Sequence, residues 1–273
     1  MIRTWHCPVD QETRSGAAWP LRQWLVCRLR LWRRGWPVLL LLGGLATGVA
    51  VAQRPDPGAL WKIVHDRCEP HARQGADPAP CALVSLTDGY AVLKDNSPAK
   101  PLHYLMIPTE RLSGIEDPAV LAAGRPNRWA EAWDARRFVA ARAGRDLARD
   151  EVALAINSPH ARSQNQLHIH VACLKRELRA ALAEQAAAIG ATFAALPKPL
   201  LDQPYRAMRL LGEALTADPF QLAAASGAHL DRATMVVVGA AFAEGPGFIV
   251  LLDEADPARG DFAHGEDLLA PDC

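Results

Sequence analysis

The chain has 273 residues, half of them apolar, which is long enough for one large domain or two small ones and lies well outside the composition of disordered chains. Thirty Lys and Arg balance thirty Asp and Glu, so no overall basic field would gather nucleic acid, and nucleic acid is not expected as a partner. Six cysteines without a Cys-x-x-Cys pair give no support to a zinc knuckle or a thioredoxin-like dithiol.

Charge and hydropathy divide the amino-terminal part. Arg14, Arg22, Arg28, Arg30, Arg33 and Arg34 precede an almost uncharged run from Trp36 to Ala52. Residues 1–35 are therefore predicted as a basic cytoplasmic segment and 36–52 as a single membrane-spanning anchor, with the rest of the chain on the far side of the bilayer under the positive-inside rule. Ala50-Val51-Ala52 also has the small-x-small pattern of a signal-peptidase site, which makes cleavage the alternative to a retained anchor. Residues 53–81 follow as a Pro-rich linker, a short helix from Leu60 to Arg67, and a loop bounded by Cys68 and Cys81. An oxidising compartment would join these two as a disulfide, leaving Cys7 and Cys27 on the reducing side.

Short β-prone runs at Ala82–Leu86 and Tyr90–Leu93, separated by Thr87-Asp88-Gly89, predict a hairpin, and Leu102–Ile107 a third strand stopped by Pro108. Apolar residues recur at helical spacing from Asn127 to Ala143, with Gly144 as the carboxy-terminal cap. Val152–Ile156 and Leu167–Cys173 read as strands, and Glu177–Ile189 as a helix ended by Gly190. The order of strands, helix, strands, helix predicts an α+β fold over residues 82–196. Residues 197–273 add strands at Tyr205–Leu211, Thr234–Phe242 and Phe248–Leu252 and a short helix at Phe220–Ala225. They carry no evident chemical motif and read as part of the same domain, at most as a degenerate second half of it.

The chemistry concentrates in Gln164-Asn165-Gln166-Leu167-His168-Ile169-His170-Val171-Ala172. Alternation along a strand sends Leu167, Ile169 and Val171 to the core and puts His168 and His170 on the other face. Two imidazoles so placed suit a metal pair, a nucleophile with its supporting base, or polar surface residues. No acidic metal cluster is visible, and no cofactor is expected.

Leu93-Lys94-Asp95, Pro101-Leu102-His103-Tyr104-Leu105, Ile107-Pro108-Thr109, Gly114-Ile115-Glu116, Ala155-Ile156-Asn157-Ser158 and the His-x-His strand together resemble the bacterial CDP-diacylglycerol diphosphatases of the histidine-triad superfamily, over roughly residues 82–175. The resemblance implies a histidine-triad type of antiparallel sheet with flanking helices, CDP-diacylglycerol as substrate at a bacterial inner membrane and a periplasmic catalytic domain; the strand and helix content of the second half adds the expectation of a homodimer or internal pseudo-dimer. It implies His170 as the nucleophile on phosphorus, supported by His168 and His103. Asp95 would lie near the ribose, Asn157 would orient the histidines, and Gln164 and Asn165 would contact phosphate or leaving group. The third motif histidine is replaced by Ala172, so Arg162, Ser163 and Gln166 become the expected donors to the phosphate. Two other readings remain: an exported hydrolase of soluble nucleotides, and a non-catalytic periplasmic metal-binding module using His168, His170 and His103.

Overall fold

Residues 56–273 are described in the structure, a computed structural model. The expected basic segment, the anchor, Cys7 and Cys27 lie outside the described residues. Among the described residues no helix is long and apolar enough to cross a membrane.

The backbone is α+β, built on one sheet in which every pairing is antiparallel. Its strands are β1 (Cys81–Ser85), β2 (Tyr90–Lys94), β3 (Tyr104–Pro108), β4 (Val152–Ile156), β5 (Ile169–Leu174), β6 (Ala194–Ala195), β7 (Arg206–Leu211), β8 (Ala233–Phe242), β9 (Gly245–Glu254) and β10 (Leu269–Ala270). They are ordered β1-β2-β3-β5-β4-β8-β9-β7-β6, and β10 pairs with the end of β5. The expected hairpin joins β1 to β2, with Gly89 at φ 74 supplying the left-handed residue of the turn. Residues beyond 197 continue the same sheet through the β4–β8 pairing.

Each face of the sheet is covered for a reason visible in the strand alternation. Tyr90, Val92, Tyr104, Met106, Leu154, Ile169 and Val171 face a core closed by helix α3 (Arg128–Ala143) through Trp129, Trp133 and Val139. That helix starts at Asn127, whose side chain accepts from the backbone N–H groups of Trp129 and Ala130, and stops at Gly144, left-handed at φ 68. On the opposite face, Ala153, Ala155, Ala172 and Leu174 pack with Leu178 and Leu182 of helix α4 (Arg176–Gln185). Ala91, Leu93, Leu105 and Ile107 pack there with Leu60, Val64 and Cys68. Between α4 and those amino-terminal residues lies the stretch of sheet that carries His170.

Several expectations need correction. The first helix does not end at Arg67: α1 (Ala59–Ile63) passes through a π turn (Val64–Cys68) into α2 (Glu69–Arg73). Pro70 lies in the first turn of α2, where its missing N–H is tolerated. β5 begins at Ile169 and not at Leu167, which leaves His168 just ahead of the strand. Helix α4 ends at Gln185 and passes into a 3₁₀ turn (Ala186–Ala188) before Gly190, and the Gln185 side chain accepts from the backbone N–H of Lys198. Another short helix, α5 (Pro219–Ala225), lies where expected, capped by Asp218. The Cys68–Cys81 disulfide is present. A second disulfide, Cys173–Cys273, was not anticipated; its partners stand 100 residues apart in sequence.

Candidate active site

Register brings the histidines together. On β5, His170 lies between Leu105 of β3 and Ala155 of β4, on the face opposite Ile169 and Val171. His168 turns its ring against it, with centroids 4.9 Å apart and planes crossed at 66°. Its Nδ1–H donates to the carbonyl of Gln166 at 2.7 Å. His103, just before β3, donates from Nε2 to the carbonyl of Ala270 on β10 at 2.7 Å, which leaves its Nδ1 as the bare nitrogen. Each of these two tautomers is set by a carbonyl acceptor.

Glu266 completes the cluster. It sits in a 3₁₀ turn (Gly265–Leu268) within the region that seemed to carry no motif. Its Oε1 lies 3.3 Å from Nδ1 of His170 and 4.0 Å from Nδ1 of His103, and it pairs with the Lys100 ammonium. Asn157 grips the same residue from both sides: its amide donates to Oε2 at 3.2 Å and its carbonyl oxygen accepts the Glu266 backbone N–H at 3.0 Å. Burial alone would raise the Glu266 carboxyl, but His170 in its protonated form at low pH, the Lys100 ammonium and the Asn157 amide outweigh it and hold the group at about 2. Burial pushes His103 and His168 below the ordinary histidine value and His170 well below it, against the pull of Glu266, so all three imidazoles are neutral at pH 7. Both ring nitrogens of buried His170 lack a hydrogen-bond partner.

His168, His170, Asn157, Lys100 and Glu266 of this cluster line a cavity of about 600 Å³; His103 is not among its lining residues. One wall is the amino-terminal helix, through Ala59, Leu60, Ile63 and Arg67. Gln164 fastens that wall: its Oε1 accepts from the Leu60 N–H and its Nε2 donates to the Asp56 carbonyl, each at 3.0 Å. Asp95, Asn157, Ser163, Gln164, His168 and His170 line the cavity, as do Lys94, Asn96 and Lys100, which were not singled out in sequence.

Three expected phosphate contacts are placed otherwise. The Arg162 guanidinium is paired with Glu116 and lies outside the cavity lining. Asn165 is tied to the start of the first helix through its backbone N–H, which donates to the Pro57 carbonyl at 2.6 Å. Gln166 is fully buried, its amide donating to the carbonyls of Pro108 and Glu110 at 3.1 and 2.9 Å. Arg162 and Gln166 brace the loop before β5 through their side chains, and Asn165 through its backbone. The position of the third motif histidine, Ala172, packs in the apolar cluster with Ala153 and Leu268. An acidic and histidine cluster does exist: Asp95, His103, His170 and Glu266 each present a ligand atom within 4.8 Å of the others. It was invisible in sequence because its two carboxylates stand at positions 95 and 266. His168 is not part of it, and the Lys100 ammonium already sits between the carboxylates, 3.8 Å from Asp95.

A neutral, buried imidazole with unpartnered nitrogens, in a cavity lined also by lysines and an arginine, is an arrangement able to act on an anionic ligand. The sequence profile of the family described as CDP-diacylglycerol pyrophosphatase matches residues 55–273. The CDP-diacylglycerol pyrophosphatase of Yersinia pestis is 39% identical over 246 residues, covering 89% of this chain and 94% of that protein. The chain therefore belongs to the CDP-diacylglycerol pyrophosphatase family, whose members are hydrolases of phosphoanhydrides.

Proposed function

We propose that the protein hydrolyses CDP-diacylglycerol to CMP and phosphatidate through a nucleotidyl-histidine formed on His170. In the first step Nε2 attacks the phosphorus that carries the cytidine, the bond from that phosphorus to the bridging oxygen breaks, and phosphatidate departs. Water then attacks the same phosphorus, the phosphorus–nitrogen bond breaks, and CMP leaves with the imidazole restored. Splitting one hard displacement into two is what a neutral, partner-free imidazole suits. That state of His170 is the observation on which the reading chiefly rests. Asp95 and Asn96 line the cavity and are assigned to the nucleoside half, and Lys94, Lys100 and Arg67 offer cationic groups for the diphosphate. The order and spacing of the motifs from Asp95 to His170 support a histidine-triad type of site.

A lipid substrate fits the expected inner-membrane anchor over residues 36–52, with the catalytic part in the periplasm. The cavity lining includes Leu60, Ile63, Pro80 and Leu93, an apolar flank for the lipid side of the substrate.

The test is release of CMP from CDP-diacylglycerol in detergent micelles by the full chain, with and without EDTA, beside His170→Ala. Release that resists EDTA, depends on His170, and leaves an acid-labile nucleotidyl adduct on the wild-type enzyme is the expected result. Turnover confined to soluble nucleotides would transfer the same chemistry to another substrate. Release abolished by EDTA would favour a metal held by Asp95, His103, His170 and Glu266.

A further inference from the structure

We infer that Glu266 is the positioning residue of the nucleophile: its carboxylate, 3.3 Å from Nδ1 of His170 and engaged with Lys100, accepts Nδ1–H once substrate draws Lys100 away, so that Nε2 presents its lone pair to the cavity. This rests on His170 being the nucleophile.

The geometry favours this role over a plain ion pair with Lys100. A carboxylate this deep costs several kcal/mol of desolvation unless it is well compensated, and Glu266 is only 9% exposed. Oε2 is satisfied by Asn157, and Oε1 faces two groups at once, the Lys100 ammonium and His170 Nδ1. His170 has no carbonyl acceptor of the kind that orients His103 and His168, and Glu266 is the acid beside its Nδ1. With Nδ1 protonated toward the acid, Nε2 is the nitrogen left to react. As the Nε2–phosphorus bond forms the ring becomes cationic, and the carboxylate 3.3 Å away offsets that charge. Lys100 also lines the cavity, so a bound diphosphate draws its ammonium away and leaves Oε1 to His170.

The surrounding chain is built to hold this one side chain. Gly265 is pressed so closely against Thr234 that a Cβ there would overlap the Thr234 hydroxyl, and that hydroxyl accepts the Gly265 N–H at 2.9 Å. Ala263 takes a left-handed φ of 53, a strained value for alanine, with its N–H held by Asp261 at 2.8 Å and its carbonyl by the Ser158 N–H at 3.2 Å. Beyond Glu266, the β10 pairing and the Cys173–Cys273 disulfide fasten the segment to β5, the strand that carries His170. Strain and close packing of this kind persist where the surrounding structure demands a fixed position.

The experiment compares wild type, Glu266→Gln, Glu266→Asp and His170→Ala as full chains in detergent, by kcat, KM, thermal unfolding and the pH dependence of kcat/KM. The charged and titratable groups around His170 are Glu266, His168, His103, Lys100 and Asp95, and Glu266 is the one that raises its pKa most. Glu266→Gln is expected to lose on the order of 10²–10⁴-fold in kcat with KM little changed. The acidic limb of its profile should move to lower pH, because the neutral amide no longer favours the imidazolium. Glu266→Asp should recover part of the loss and return the limb toward the wild-type position. A variant that loses activity with its limb unmoved, or only in proportion to lost folding, would make Glu266 merely structural and overturn the inference. So would wild-type kcat in Glu266→Gln. An active His170→Ala would instead defeat the nucleophile assignment on which the role depends.

Discussion

Gly265→Ala is a one-carbon perturbation whose effect can be worked from the packing around it. The new methyl would overlap Thr234 Oγ1, lie 3.1 Å from Val236 Cγ2 and 3.4 Å from the Ile156 carbonyl. Thr234 is fully buried, and its hydroxyl donates to Ile156 at 2.6 Å while accepting from Gly265 at 2.9 Å, so it cannot yield without breaking both bonds. Overpacking of this kind costs about 1–3 kcal/mol and each of the two lost hydrogen bonds about 1 kcal/mol, so the sum is roughly 3–5 kcal/mol of stability. A displacement of Glu266 by about 1 Å would add an activity loss on the order of 10²-fold. Urea unfolding gives the first quantity and CMP release the second. Thr234→Ala removes the colliding oxygen, so the double variant should be less destabilised than the sum of the singles by at least about 1 kcal/mol. A Gly265→Ala protein within about 0.5 kcal/mol of wild type and fully active, or strictly additive singles, would refute the reasoning.

Other substitutions probe the remaining parts of the site. Cys173→Ser with Cys273→Ser opens a 100-residue loop; it should cost about 4–5 kcal/mol and lower activity more than the loss of folded protein explains, since Glu266 and Ala270 lie on the released segment. Unfolding and specific activity measured on the same sample decide this. Arg162→Met with Glu116→Gln should leave KM within about twofold, because the guanidinium is already paired; a tenfold rise in KM would return Arg162 to the phosphate. Asp253 is pushed up to about 7 by burial and by Asp261, so its favourable protonated state is lost as pH rises from about 4 through 7. Asp253→Asn should therefore raise stability by about 1–3 kcal/mol at pH 8 and not at pH 4, measured by denaturant titration. His170 moves in the opposite sense: folding keeps it neutral below 6.5 while the unfolded chain takes up a proton, so stability falls as pH drops through that value. His170→Ala should flatten that part of the stability profile.

The motifs near one another in sequence were legible because strand geometry is local. Alternation in Leu167–Val171 sent the right residues to the core and His170 to the cavity, although β5 starts two residues later than expected. Asn127 and Gly144 delimited α3 to within a residue, since both act through their own backbone. The order of the motifs from Asp95 to His170 pointed to the family that the matched profile and the relative from Yersinia pestis establish. What local pattern could not separate was function from bracing: Arg162, Asn165 and Gln166 are polar residues beside the motif histidines, yet their partners are Glu116, Pro57 and the carbonyls of Pro108 and Glu110.

By itself, the sequence determined the α+β class, the family, the Cys68–Cys81 pairing across a short loop, and the three histidines, each through neighbours within a few residues. Only the tertiary structure decided that Glu266 and Ala270, from the apparently featureless end of the chain, contact the histidines, and that Cys273 closes onto Cys173. A carboxylate 96 residues beyond the histidine it faces leaves no periodicity or spacing to read. Its place is set by the β10 pairing, the close approach of Gly265 to Thr234 and the grip of Asn157, which exist only once the sheet has formed.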